Sequence, residues 1–84
     1  MSVEDKKLGR ELMREMNRRR NIDITDVRMT VTRAVAYIGG IIRPAPGETV
    51  DPKIEKEMIK ESIKRISGIR DIVFDAKFDL SSKR

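Results

Sequence analysis

Between Val27 and Ile42 the chain alternates apolar and polar residues, and the alternation changes parity halfway along. Val27, Met29 and Val31 stand against Arg28, Thr30 and Thr32; after Arg33-Ala34 the apolar set becomes Ala36, Ile38 and Ile42. Strand side chains point alternately to opposite faces, so a slip of one position sends the whole apolar set to the wrong side. A hairpin with Arg33-Ala34 as its loop resolves the conflict. It sets Val31 against Ala36, Met29 against Ile38 and Val27 against Gly40, all on one side of a sheet. The loop residues suit it poorly, because two-residue hairpins favour Asn-Gly or Asp-Gly. A longer or bulged connection is the alternative.

The second strand of this hairpin contains Gly39-Gly40 where a strand should be strongest. Glycine there marks a bulge or a close backbone approach. In the register above, Gly40 faces the core, where a missing side chain lets a helix approach the sheet. Gly39 faces outward, or the pair forms a bulge. We read both as packing devices rather than as a ligand site.

Helical spacing flanks the hairpin. Leu8, Leu12 and Met16 recur every four residues with Met13 alongside, while Lys7, Arg10, Arg14 and Arg18 share another side, with Glu4, Glu11 and Glu15 between. Ser2 is a candidate N-cap with Asp5 as a capping-box variant. Continuing the wheel swings Arg19 onto the apolar face, so a helix over about 3–19 is expected, with Asn21 as a stop. After the stiff loop "RPAPGETVDP", Asp51-Pro52 reads as N-cap and first helical residue. Ile54, Met58, Ser62 and Ile66, with Ile59 and Ile63, form the expected buried stripe of a second helix. Lys53–Glu57 and Glu61–Arg65 are candidate i,i+4 pairs on its wet side. Gly68 suits a left-handed C-cap after Ser67. A third strand follows, with Ile72, Phe74, Ala76, Phe78 and Leu80 on one face and Asp71, Val73, Asp75, Lys77 and Asp79 on the other.

The expected fold is therefore α+β, a two-layer sandwich of order αββαβ. A three-stranded mixed or antiparallel sheet is covered on one face by two helices. The 84 residues make one domain, with residues 81–84 as a frayed tail.

Composition removes much chemistry. The chain has no His, Cys or Gln, so no disulfide framework, thiolate nucleophile, imidazole base or zinc set can be written. Its 39% charged residues and lack of Gln resemble thermophile composition. The N-terminal stretch has acids near its start and no apolar signal-like core, and nothing reaches membrane-spanning length, so a soluble, cytoplasmic protein is the default expectation. No P-loop or dinucleotide fingerprint and no acid pair beside a nucleophile appears, which argues against an enzyme and against a cofactor or small-molecule substrate. The alternating Asp71, Asp75 and Asp79 read as solubilising charge rather than a metal site.

Several of these stretches together resemble a BON domain, the small αββαβ module first described in bacterial osmotic-shock and nodulation-related proteins. "AVAYIGGII" is similar to its second-strand signature, an alternating apolar segment leading to a glycine, here Gly40, and a branched aliphatic residue. "SGIRDIVFDAKF" places Gly68, Ile69 and Ile72 as the family's turn out of its second helix does. The resemblance covers roughly Ile24 to Leu80, and the preceding helix fits the family's first. Arg33-Ala34 departs from the family's Asn-Gly-like turn, the connection Pro44–Pro52 is longer than usual, and neither an export signal nor a tandem copy is seen. The resemblance implies a noncatalytic module associated with phospholipid surfaces, pores or envelope assemblies. One branch is linked to potassium binding, and no pattern here carries that.

Three binding surfaces follow. In the proposed register Val35, Tyr37, Ile41 and Val73 point away from the helices, an apolar set fit for a protein partner or a second copy; scattered surface apolar residues are the plain alternative. The net charge of +5 leans toward the N-terminal segment, where Lys7, Arg10, Arg14, Arg18, Arg19 and Arg20 are candidates for anionic lipid or RNA. Interspersed acids favour an ordinary solvated face instead. RNA binding of the KH kind would need a GXXG loop, and "IGGI" has the wrong spacing and sits in a strand. With few aromatics for base stacking, nucleic acid is the lesser reading.

Overall fold

In the computed structural model, which describes residues 3–81, the elements run α1 (Val3–Asn17), β1 (Ile22–Asp23), β2 (Val27–Thr32), β3 (Val35–Pro44), α2 (Pro52–Lys64), β4 (Asp71–Phe74) and β5 (Lys77–Phe78). The fold is α+β, with two helices and one five-stranded sheet among the described residues. The Ser2 cap and most of the suggested frayed tail lie outside the described residues.

The hairpin forms in the register the parity change requires: Val31 opposite Ala36, Met29 opposite Ile38 and Val27 opposite Gly40. Its connection is the tight one. Arg33 and Ala34 both take left-handed backbone, with φ of 52° and 66°. That is the geometry of the turn usually built from Asn-Gly, and for side chains with a Cβ it costs about 1–2 kcal/mol per residue. Asp5, in the first turn of α1, supplies the compensation. Its carboxylate accepts the Arg33 amide at 3.1 Å and the Ala34 amide at 3.2 Å.

β3 is the axis of the sheet. On one side it pairs antiparallel with β2 and then with β1; on the other it pairs parallel with β4 and then with β5. Five strands therefore replace the expected three, for a local reason. Gly40 has φ +93°, and a Cβ there would sit 2.2 Å from the Asp26 carbonyl oxygen. The Ile41 amide donates to that same oxygen at 3.0 Å. The close approach Gly40 permits is thus to the backbone preceding β2 rather than to a helix. The bulge separates β1 from β2, and at the same level Asp75-Ala76 separates β4 from β5 without changing their register on β3.

Leu8, Leu12 and Met16 of α1 meet Val31, Ala36, Ile38 and Ile42 of the hairpin and Ile59, Ile63 and Ile66 from α2 and its end in one buried cluster. Ile72, Phe74, Ala76 and Phe78 flank it, half-buried, whereas Leu80 is exposed. Asp51 caps α2 as the sequence suggests, accepting from the Lys53 and Ile54 amides.

The buried stripe of α2 is rotated from expectation. Glu55 lies at 3% exposure while Ile54 and Met58 stand at 59% and 47%. Glu55 accepts from Arg19 Nε and, at 2.8 Å, from Asn21 Nδ2, so the buried carboxylate is paired. Neither Lys53–Glu57 nor Glu61–Arg65 forms an ion pair. Gly68 is left-handed, with φ +105°, yet it falls in the turn after Arg65 has capped α2; Leu8 Cδ2 lies 3.2 Å from where its Cβ would be.

Candidate interaction face

The outward side of the sheet follows from the same pleat that fills the core. Ala36, Ile38 and Ile42 of β3 point in, which turns Val35, Tyr37, Gly39 and Ile41 out. Tyr37 stands level with Thr30 on β2 and Val73 on β4, and Gly39 stands level with Arg28. On the other side of Gly39 is Asp75, whose amide continues the ladder by donating to the Ile38 carbonyl at 2.7 Å. Ile41 is level with Lys77.

Three residues of the expected apolar set are exposed: Tyr37 (43%) and Val73 (42%), which are paired across neighbouring strands, and Ile41 (37%), which lies beyond Gly39 on β3. Val35 lies on the same side but is half-buried next to the turn, so it borders the patch rather than forming its centre. Arg28, Thr30, Tyr37, Gly39, Val73 and Asp75 line a shallow depression in this face. The missing side chain of Gly39 forms its floor, with nothing within 4 Å of the position a Cβ would take.

At the far end of the face, Arg43 binds the Asp26 carboxylate and lies 3.7 Å from Asp79. The bond to Asp26 raises the Arg43 pKa further and fixes the cation in its charged form. Asp23 nearby accepts from the Thr25 hydroxyl and amide, which hold its carboxyl below the ordinary value. These charges are satisfied within the chain. Arg28 and Asp75 are in no ion pair among the described residues.

Lys7, Arg10 and Arg14 form an exposed row on α1, opposite the stripe made by Leu8, Leu12 and Met16, and Arg18 is exposed just past the helix end. Arg18 lies 3.4 Å from Glu15. Arg19 leaves the basic set, because it turns inward to Glu55; Arg20 is exposed beyond the helix end. Among the described residues no group of acidic side chains is arranged to hold a metal ion, and no helix is long and apolar enough to cross a membrane.

Sequence reasoning placed Arg28 and Asp75 outward but not on either side of one glycine. Strand parity shows the facing of each; only the register of β4 on β3 shows that they share a level. A scan against models of protein families finds no match, and a search of curated proteins finds none.

Proposed function

We propose that this chain is a noncatalytic, BON-like interaction module that docks a protein partner or a second copy through the open sheet face. The observation that carries the reading is the exposure of Tyr37 beside Val73, and of Ile41 beyond Gly39 on β3, on one sheet face that also carries Arg28, Thr30 and Asp75. An apolar patch with a polar rim is the usual mark of a contact surface. The two-layer arrangement implied by the BON resemblance leaves this face free, since the core cluster engages only the opposite one.

Sedimentation and heteronuclear NMR test the reading. Sheet-face signals of the isotope-labelled protein are expected to move with its own concentration or on addition of cell lysate, and Tyr37→Asp is expected to abolish the response while keeping the fold. Sheet-face signals indifferent to both treatments would refute it.

The exposed basic row of α1 supports a second reading, peripheral binding to anionic lipid. Co-sedimentation with excess anionic vesicles at low salt is expected to fall when Arg10 and Arg14 become Glu. A chain that stays in the supernatant at low salt sinks this reading.

A further inference from the structure

We infer that the occupant of the open face is a second copy of this chain, related by a two-fold axis running along β3. The inference rests on the reading of that face as an interaction surface and adds the partner and its orientation.

The charge layout of the face selects this partner and this axis. Arg28 on the β2 side and Asp75 on the β4 side stand level with Gly39, exposed and in no ion pair among the described residues. A two-fold axis along β3 lays the β2 side of one copy over the β4 side of the other. Arg28 then meets the second copy's Asp75, and Asp75 meets the second copy's Arg28. Tyr37 and Ile41, on the axis strand, meet their own equivalents. Thr30, level with Tyr37, covers the second copy's Val73.

A two-fold axis running across the strands would instead set Arg28 over Arg28 and Asp75 over Asp75, which like-charge repulsion opposes. Isologous contacts of this kind close on themselves and do not propagate. Packed sheets lie about 10 Å apart and within about 30° of aligned, so charges one strand from the axis stay in reach near the crossing point. Gly39, with nothing over it, lets the two backbones approach there.

The surface is small. Three strands about 4.8 Å apart and some 30 Å of β3 give a footprint of roughly 450 Å², at the low end for protein contacts. The dimer is accordingly weak, and it is read at high protein concentration.

Charge reversal tests the arrangement on the full chain, by sedimentation and NMR dilution up to about 1 mM, the range suited to a weak contact. Arg28→Asp and Asp75→Arg, each folded by circular dichroism, are expected to weaken self-association at least about tenfold, since each creates two like-charge contacts. Mixed in equal amounts they are expected to form a heterodimer at least as tight as the natural pair, because every contact is then complementary. The double variant is expected to regain self-association. Single reversals that associate like the natural chain, or a mixture that stays monomeric, would overturn the inference. If Tyr37→Asp still abolishes association in that case, the face remains an interaction surface and only this arrangement is wrong. A natural chain whose sheet-face signals ignore concentration overturns the second copy as occupant, and the lysate response then decides the reading beneath it.

Discussion

At the scale of single residues, the fold depends on positions where backbone and side chain disagree. Arg33 and Ala34 occupy left-handed conformations that neither prefers, and the Asp5 carboxylate holds their amides. Asp5→Ala is expected to destabilise the fold by about 2–3 kcal/mol in urea denaturation, the scale of losing hydrogen bonds to a charged acceptor. Replacing Arg33-Ala34 by Asn-Gly should stabilise it by about 1–2 kcal/mol through relief of the backbone penalty. The adjacent glycines make a sharper contrast. Gly40→Ala drives a Cβ into the Asp26 carbonyl and is expected to cost more than about 3 kcal/mol, whereas Gly39→Ala meets open space and should change stability by less than about 1 kcal/mol. Equal effects at the two positions in thermal unfolding would contradict the bulge assignment.

At the scale of elements, the end of α1 is fastened to the start of α2. Arg19, in the turn just after α1, points inward, and Glu55 in the first turn of the second helix receives it together with Asn21. Taking one partner from a buried pair leaves an uncompensated charge. Arg19→Met is therefore expected to cost about 3 kcal/mol, and adding Glu55→Leu to recover most of it, since an apolar pair of similar volume tolerates the site. A double variant no better than the single one would show that the pair is not the reason.

This pair also marks where the sequence stopped being legible. Helical periodicity flagged Arg19 only as a place for the first helix to stop; the residue was expected in the basic set, and its turn toward Glu55 was not legible. Nor was the inward placement of Glu55, because its partner is 36 positions away and the apolar Ile54 and Met58 competed for the same stripe. The hairpin register was readable from parity alone, since a slip would expose the whole apolar set. The splitting of the outer strands was not, because the extra residue sits between β1 and β2, opposite Gly40, and depends on the backbone contact of Asp26 with Gly40 and Ile41. On the candidate face, Tyr37, Ile41 and Val73 were readable from alternation; the half-burial of Val35 and the shared level of Arg28 and Asp75 required the pairing of β3 with both neighbours.

At the scale of the whole molecule, one face of the sheet carries the core and the other carries the exposed Tyr37, Val73 and Ile41, with Arg28 and Asp75 on either side of Gly39. A small domain has few ways to bury a third surface by itself, and association is the available one. The most direct measurement is paramagnetic relaxation of methyl signals by a soluble, uncharged agent, recorded from about 20 μM to about 1 mM protein, a range that brackets a weak contact. We expect Ile41 and Val73 methyls to become shielded as concentration rises, while Met13 and Ile54, exposed on the helices, stay equally relaxed. Ile41 and Val73 methyls as accessible at the highest concentration as at the lowest would contradict the account.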